Sequence, residues 1–262
     1  MRPVIALGDI HGNLRIFKRL AAMRTQYPDA EVVFIGDYID GHVDGFKVLK
    51  RVRELQQDDA HVHVLAGNHE YEMVRYFLNA QEDFWLSIGG RDTLRHAAFL
   101  ATGESGADLA NRGTVIAHES ELIKWVADLD VEYSIGKLQF VHAGYDMKQD
   151  DPIAQTGQYT KLTARGAYFY YQFQVFAHNP YPFSIVTGHT ATWMVGGHYE
   201  HDELLTKYTN PNAASSPIYT IVYPGEMPRY LLDGGISGRN DWVGNVAVFD
   251  ADTGMLIDSL ED

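Results

Sequence analysis

The feature that most constrains the fold of this 262-residue chain is a unit that recurs along its first third. Each unit consists of a short apolar run, a glycine-flanked polar loop and a segment with helical periodicity. The apolar runs lie at residues 4–7, 32–35 and 62–65. Strands that alternate with helices in this way form βαβ units, whose strands lie parallel in a sheet. The pattern therefore predicts an α/β fold.

Apolar residues at helical spacing follow each polar loop. We expect Asn13 to cap a helix that reaches Met23, and Asp44 to cap a helix that reaches Leu55. No strand that ends in a polar loop is predicted over residues 81–129. A helical insertion with a last helix at 117–129 is expected there instead. The aromatic run 168–173 is expected to form a helix packed on the core, with a stacking surface lining the cleft as the alternative.

The second half of the chain is richer in predicted strands. Apolar runs at 138–141 and 183–186 each precede a histidine, and a polar, proline-containing loop is expected over 210–217. Because no linker, repeat or low-complexity tract interrupts the chain, residues 1–262 are expected to form a single domain. Late strands without intervening helices favour antiparallel pairing, and they are predicted at 219–222, 230–232 and 246–249.

Composition excludes several classes of function. A net charge of −14 disfavours nonspecific binding to nucleic acids and anionic membranes. Without cysteine, the chain has no disulfide, thiolate zinc site or cysteine nucleophile. Its N-terminal apolar run stops at Asp9, too short for a signal peptide, and no run approaches the roughly 18 apolar residues of a membrane span. We expect a cytoplasmic protein without a membrane partner, and its oligomeric state stays open.

Metal-ligand residue types stand at the ends of five apolar strands. A lone His or Asp at such a position is more often a capping or hydrogen-bonding residue, but five together point to one site. In open α/β sheets, sites form beyond the carboxyl ends of the strands, so these loops are expected to meet at one edge. The residues are Asp9 with His11, Asp37, Asn68, His142 and His189.

The type and number of these ligands predict a dinuclear metal centre. Carboxylate, imidazole and amide ligands without sulfur suit Mn²⁺, Fe²⁺ or Zn²⁺. Six ligands are too many for one catalytic ion that keeps an open position, so we expect two ions that share Asp37. The first ion would take Asp9, His11 and Asp37, and the second would take Asp37, Asn68, His142 and His189. Two divalent cations outweigh two carboxylates, which leaves a positive site that attracts phosphate.

Hydrolysis of a phosphoester also requires a proton for the leaving oxygen. His69 directly follows the ligand Asn68, points elsewhere and is the expected general acid, with Asp40 holding its other ring nitrogen. Glu70 is expected to brace the turn at Asn68 and His69 or to cap the following helix. Asp233 either orients a ligand or shapes a turn.

Taken together, the motifs resemble the PPP family of metallophosphoesterases, and most closely its bacterial and phage serine/threonine protein phosphatases. The resemblance implies a four-layer αββα fold with a central mixed β-sandwich, a dinuclear centre usually active with Mn²⁺, and direct attack by metal-bound hydroxide without a phosphoenzyme. Two further stretches are similar to that branch, Trp85-x-x-x-Gly89-Gly90-x-x-Thr93-Leu94 and Leu232-Asp233-Gly234-Gly235. The main motifs are Gly8-Asp9-Ile10-His11-Gly12, Gly36-Asp37-Tyr38-Ile39-Asp40, Gly67-Asn68-His69-Glu70, His142-Ala143-Gly144 and Gly188-His189-Thr190.

The chain departs from the family pattern at one position. Where that pattern has an arginine after the second aspartate, this chain has Gly41, so a phosphate-clamping guanidinium is missing. The candidate substitutes are His42, Arg91 and Arg165, each of which could equally be a solvated surface residue.

These observations leave more than one function open. The leading hypothesis is a phosphomonoesterase acting on phosphoserine or phosphothreonine in proteins, with small phosphoesters as further substrates. The alternative keeps the chemistry but changes the substrate to a dinucleoside polyphosphate or a nucleic-acid end phosphate. A third hypothesis is a metal-binding interaction module without turnover.

Overall fold

The first part of the chain has the expected alternation of strands and helices. The computed structural model describes residues 1–201, 206–207, 215–237 and 239–262, so residues 210–214 of the expected polar loop lie outside the described residues. The first half of the chain contains β1 Pro3–Leu7, α1 Ile16–Gln26, β2 Glu31–Phe34, α2 Gly45–Asp58, β3 Val62–Val64, α3 Asn68–Leu78, a π-helical turn Leu86–Gly90, α4 Arg91–Thr102 and α5 Asp108–Ala127.

The second half is dominated by short strands. It contains β4 Glu132–Ile135, β5 Leu138–Val141, α6 Pro152–Gln155, α7 Gln158–Thr163, α8 Gly166–Phe169, β6 Tyr170–Gln172, β7 Val175–Phe176, β8 Ser184–Thr187, a 3₁₀ turn Thr192–Met194, β9 Gly196–Gly197, β10 Thr206–Lys207, β11 Tyr219–Ile221, β12 Arg229–Leu231, β13 Val246–Asp250 and β14 Met255–Leu260. Among the helices of the described residues, none is long and apolar enough to span a bilayer.

Two mixed sheets of described residues form the centre of the fold. The first has the strand order β14-β13-β1-β2-β3, in which β1, β2 and β3 are parallel and β13 is antiparallel to β1. The second has the order β11-β12-β8-β5-β4, in which β5, β8 and β12 are parallel. Both sheets therefore present several strand carboxyl ends on one side.

The two sheets pack face to face, with helices on the outer faces. Val4 and Ala6 of β1 join a buried cluster with Phe140 and Val186 of the second sheet. The alternate residues of β1 instead join a cluster with α1, α2 and the insertion. A third buried cluster covers the outer face of the second sheet. This layering explains why β1 is apolar on both faces and agrees with the expected αββα fold.

The helical insertion predicted over 81–129 is present. It comprises the π-helical turn, α4 and α5, and its buried residues share a cluster with β1 and α2. Its last helix begins at Asp108 rather than at residue 117, and a non-helical conformation at Glu119 bends it near the predicted start. That residues 1–262 form one domain stays a prediction.

Several local expectations were wrong. Helix α1 begins at Ile16 because the Asn13 side chain accepts the backbone N–H of Arg15 and forms a turn before the helix. Asp44 does occupy the N-cap position of α2, as expected, but its carboxylate pairs with Lys47 and forms no capping hydrogen bond. The late strands are not uniformly antiparallel, because β12 lies parallel to β8.

The aromatic run 168–173 is a helix only at its start. Tyr168 and Phe169 end α8 and are buried in the core, as the packing interpretation expects. The chain then turns into the β6–β7 hairpin, and Phe173 lies at its tip with 91% of its surface exposed. Phe173 and Gln174 both have positive φ. Because Phe and Gln seldom adopt this backbone conformation, their residue types did not indicate a turn here.

Substitution of a buried and of an exposed phenylalanine tests how much the core between the sheets stabilises the fold. Phe140 is fully buried between the sheets and lies edge-on to Phe249. We expect Phe140→Ala to lower the free energy of unfolding by about 3–5 kcal/mol, because it leaves a cavity between two sheets that cannot collapse. Phe173→Ala is the control and should change the free energy by less than about 0.5 kcal/mol, because Phe173 is exposed. Urea unfolding of both variants measures the difference, and equal losses would contradict this view of the core.

Candidate metal centre and active site

The polar residues predicted at the strand ends converge at the carboxyl ends of both sheets. Asp9 and His11 follow β1, Asp37 follows β2 and Asn68 begins α3 just after β3. The second sheet contributes His142 after β5 and His189 after β8. The loops meet on one side of the fold, as expected, and they come from two sheets instead of one. They meet where two stacked sheets present parallel strand ends on the same side.

The backbone at this site is unusual. Residues His11, Asp37, Asp40 and His189 all have φ between 47° and 68°, in the left-handed region that non-glycine residues seldom occupy. Such conformations persist where surrounding contacts hold them, and they cluster at functional sites. The glycines beside them allow close packing, because a Cβ on Gly67 would overlap the Asp37 carboxylate and one on Gly188 would overlap that of Asp9.

Asp37 lies at the centre of the site. Its carboxylate belongs to a group with His11 and His69 and to a second group with His142 and His189. In each group the potential ligand atoms lie within 4.8 Å of one another. A carboxylate shared by two groups in this way has the arrangement of a bridging ligand.

The remaining predicted ligands complete both groups. Asp9 Oδ2 lies 3.9 Å from His11 Nε2, the same distance that separates Asp37 Oδ2 from that nitrogen. Asn68 Oδ1 lies 3.1 Å from His142 Nε2 and 2.8 Å from His189 Nδ1. The structure thus brings all six predicted ligands together.

The histidine tautomers test whether these residues suit a cation. His11 Nδ1 donates to the Ile39 carbonyl and His142 Nδ1 donates to the Ile35 carbonyl, each at 2.9 Å. Because a carbonyl only accepts, Nδ1 of each ring carries a proton, and Nε2 of each ring faces carboxylate or amide oxygens. Lone pairs and oxygens that converge on one point repel each other unless a cation or proton lies between them. Such second-shell bonds orient histidine ligands in metal sites, so the donor set fits metal.

The carboxylates show the same electrostatic pattern. Burial, together with the negative charges of Asp233 and Asp37, raises the pKa of Asp9 well above its usual range. Burial also acts to raise the pKa of Asp37, but His142, His69 and His11 outweigh it and hold that pKa well below its usual range. Three buried carboxylates so close together need compensating positive charge, which divalent cations would supply.

Glu70 braces the loop that carries Asp37. Its side chain is fully buried, and each of its two oxygens accepts backbone N–H groups. Oε2 accepts from Asp37 and Gly67, and Oε1 accepts from Tyr38 and Ile39. Glu70 therefore ties the β2 loop to the start of α3, which agrees with the bracing role expected from the sequence.

His69 faces the metal groups with one nitrogen and Asp40 with the other. Its Nδ1 donates to Asp40 Oδ2 at 2.6 Å, and its Nε2 lies 3.9 Å from Asp37 Oδ2. Burial acts to lower the pKa of His69, but Asp37 and Asp40 outweigh it and raise that pKa to about 9. His69 therefore retains its proton, and its Nε2 lies at the edge of the candidate metal centre.

The candidate phosphate-binding residues are placed differently from one another. Arg165 lines the cleft with Asn68, His69 and His189, and its Nη1 donates to Thr190 Oγ1 at 3.0 Å. The Nε of Arg91 donates to Asp108 in an exposed ion pair on the insertion, and Arg91 is not among the residues that line the cleft. His42 lies behind His11, with its Nδ1 donating to the His11 carbonyl at 2.9 Å, and lines a neighbouring cavity.

The structure places three further residues at or beside the site. Asp233, which was expected to orient a ligand or shape a turn, lines the cleft and accepts the backbone N–H of Gly235. It follows β12, whose parallel alignment with β8 brings its carboxyl end to the same side. Sequence reasoning gave no role to the other two, Trp85 and Thr93. Trp85 and Thr93 both donate to Asp40. The signal for these two was the Trp-x-x-x-Gly-Gly-x-x-Thr spacing, although nothing in that spacing identifies their acceptor.

Comparisons with known proteins agree on the fold. The family described as Calcineurin-like phosphoesterase matches residues 2–214. No curated protein matches the chain. A putative diadenosine tetraphosphatase has 16% identity and a TM-score of 0.53 over 99% of this chain and 93% of its own.

Two further solved structures are similar. A metallophosphoesterase from Sphaerobacter thermophilus has 13% identity and a TM-score of 0.53 over 99% of this chain and 88% of its own. A cold-active protein-tyrosine phosphatase of a Shewanella species has 15% identity and a TM-score of 0.50 over all of this chain and 80% of its own. At such low identities these likenesses show a shared fold.

The brace formed by Glu70 predicts a strong effect of a small change. Glu70→Gln leaves one carbonyl oxygen for four N–H donors and turns an NH₂ group toward two of them. We expect the free energy of unfolding to fall by about 2–4 kcal/mol, because buried donors lose charged acceptors. Urea unfolding measures this, with the exposed Glu54→Gln as control. Equal stability of the two variants would show that Glu70 does not brace the loop.

Proposed function

The chain belongs to the calcineurin-like phosphoesterase family, and on that premise we propose that it is a dinuclear-metal phosphomonoesterase acting on phosphoserine or phosphothreonine in proteins. Family membership makes it a metal-dependent phosphoester hydrolase. The observation that carries the proposal is Asp37, whose carboxylate is shared by two ligand groups while the ring of His69 faces one of them.

We assign the six converging residues to two metal ions. Asp9, His11 and Asp37 would hold the first ion, and Asp37, Asn68, His142 and His189 would hold the second. When bound, two divalent cations supply an activated water and bind phosphate oxygens. Oxygen and nitrogen ligands without sulfur suit Mn²⁺, our first choice, with Fe²⁺ or Zn²⁺ as alternatives.

His69 and Asp40 form the acid pair of the proposed reaction. Asp40 accepts the Nδ1–H of His69 and stabilises the imidazolium, which leaves the Nε2 proton facing the cleft. His69 gives this proton to the oxygen of the leaving serine or threonine as the P–O bond breaks. The side chain then leaves as a neutral alcohol instead of an alkoxide.

Arg165 replaces the arginine that is absent at Gly41. Its guanidinium lines the cleft beside His189, and its bond to Thr190 uses only one of its N–H donors. The remaining donors can bind two phosphate oxygens at once, which suits a planar guanidinium better than a lysine. Membership of the serine/threonine phosphatase branch stays part of this proposal.

One observation favours a second candidate substrate. A cavity of about 480 Å³ lies next to the cleft, lined by Gly41, His42 and the segment 12–15. It offers room for a leaving group larger than a single side chain. A dinucleoside polyphosphate is therefore the second candidate, and a similar fold occurs in the putative diadenosine tetraphosphatase.

A substrate panel tests the proposal. Purified protein loaded with Mn²⁺, Fe²⁺ or Zn²⁺ would be assayed with phosphoserine, phosphothreonine and phosphotyrosine peptides, p-nitrophenyl phosphate and diadenosine tetraphosphate. We expect phosphoserine or phosphothreonine peptides to have the highest kcat/KM, and chelation to abolish turnover. Preference for diadenosine tetraphosphate would support the second candidate, and no turnover with any metal would favour a binding module.

Replacement of His69 by Asn in the same assay should lower kcat on the preferred substrate by about 10²–10⁴-fold.

The Arg165 assignment makes its own prediction. We expect Arg165→Ala to lower kcat/KM by about 10²–10³-fold, because charge developing on the phosphoryl oxygens loses a donor. Arg165→Lys should recover part of the loss. Arg91→Ala should remain close to wild type, because Arg91 pairs with Asp108 on the insertion. Steady-state kinetics with the preferred substrate measure these effects, and a larger loss for Arg91→Ala would reverse the assignment.

A further inference from the structure

The helical insertion contacts the proposed catalytic pair directly. We propose that Trp85 and Thr93 are positioning residues that hold the Asp40 carboxylate, and through it the His69 ring, in the orientation needed to protonate the leaving group. This inference rests on the proposed function, because it assigns a purpose to the insertion in that same reaction.

Both oxygens of the Asp40 carboxylate are occupied by donors. Oδ1 accepts from the Thr93 hydroxyl at 2.6 Å. Oδ2 accepts from Trp85 Nε1 at 2.9 Å and from His69 Nδ1 at 2.6 Å. Asp40, Trp85 and Thr93 are each at most 1% exposed. Because an indole N–H can only donate, Asp40 is an acceptor at this oxygen.

Donors on both oxygens fix the rotation of the carboxylate. With only His69 as a partner, the Asp40 carboxylate could turn about its terminal torsion, which has a broad energy minimum. The imidazole plane would turn with it, and Nε2 would no longer face the reacting oxygen. Trp85 and Thr93 hold opposite sides of the carboxylate and remove this freedom. Orientation of this kind is worth large factors in rate, because small misplacements of a catalytic group are costly.

The local sequence explains how the insertion reaches Asp40. Gly89 has φ +117°, and a Cβ there would lie 3.1 Å from Asp40 Cβ, so the π-helical turn passes directly over the aspartate. A Cβ on Gly90 would overlap the Trp85 ring, so the second glycine makes room for the indole to fold back. The two glycines thus allow Trp85 and Thr93, eight residues apart, to reach the same carboxylate.

The same tryptophan also contacts the helix that carries His69. The Trp85 ring lies 5.6 Å from that of Tyr76 and 5.7 Å from that of Phe77, both in α3. His69 is the second residue of α3. Trp85 therefore links the helix that presents the imidazole to the aspartate that orients it.

Leaving-group chemistry separates positioning from a merely structural role. Protonation by His69 matters most when the leaving oxygen is strongly basic, as in an alkyl phosphate. It matters least for p-nitrophenol, which leaves readily as an anion. A residue that acts only through His69 should affect the first substrate much more than the second, whereas loss of folded protein affects both equally.

The experiment uses metal-loaded full-length protein and the substitutions Thr93→Val and Trp85→Phe. We expect kcat on a phosphoserine peptide to fall roughly 10- to 100-fold, with a several-fold smaller change on p-nitrophenyl phosphate. Thr93→Ser should restore the peptide rate. The controls are Thr102→Val on the same helix and Trp125→Phe in α5, whose hydrogen bonds go to Ala98 and Gln56 instead of Asp40. Both controls should match wild type.

Two further measurements complete the test. In a His69→Asn background, Thr93→Val should cause no additional loss on the peptide, because its effect passes through the missing imidazole. In metal-free protein, proton NMR should show a downfield Nδ1–H resonance of His69 that Thr93→Val and Trp85→Phe shift or broaden and the controls do not.

Equal losses on both substrates, full additivity with His69→Asn, or an unchanged His69 resonance would each overturn the positioning role. Failure of the proposed function is distinct from these outcomes. In that case wild-type protein turns over neither substrate, while the NMR comparison still decides whether Trp85 and Thr93 control the His69 ring.

Discussion

The structure depends above all on the position of one buried carboxylate. Asp37 lies between His11 and His142, and its own backbone N–H is held by Glu70. Its left-handed backbone, with φ 54°, turns the chain sharply after β2 so that the side chain can reach both ligand groups. The brace, the backbone conformation and the adjacent glycines all serve this placement. Without it the two candidate metal positions would have no shared ligand.

The fold makes such a site possible by stacking two sheets whose strands end on the same side. A single parallel sheet offers a row of loops, and ligands at the ends of that row would lie too far apart for a compact centre. Here β1, β2 and β3 contribute from one sheet, while β5 and β8 contribute from the other. The Ile35 carbonyl on the first sheet accepts the proton of His142 on the second, so the histidine is oriented across the sandwich. Packing between the sheets and the geometry of the candidate metal site are therefore coupled.

The sequence predicted the parts of this site that depend on local signals. Each ligand directly follows an apolar run, so Asp9, Asp37 and His142 were recognisable from neighbouring residues alone. The division of the strands between two sheets came only from the resemblance, because continuous apolar runs do not tell which sheet a strand joins. The bonds from Trp85 and Thr93 to Asp40 were not predictable, since they depend on a turn that brings residues about 50 positions apart together.

The surroundings of Gly41 leave little room for the arginine that the family pattern has at this position. Gly41 has φ +74°, and a Cβ there would lie 3.0 Å from the Ser237 hydroxyl and 3.1 Å from His11 Cβ. A side chain at this position would strain the backbone and press against a proposed ligand. Under the proposed function, Arg165 supplies the positive charge for phosphate instead, and it approaches from the outer layer of the second sheet. The buried Arg229 donates to backbone carbonyls of Tyr168 and Phe169 and so holds the segment that carries Arg165. In the proposed reaction, phosphate binding thus depends on the second sheet, whereas the proposed acid depends on the insertion beside the first.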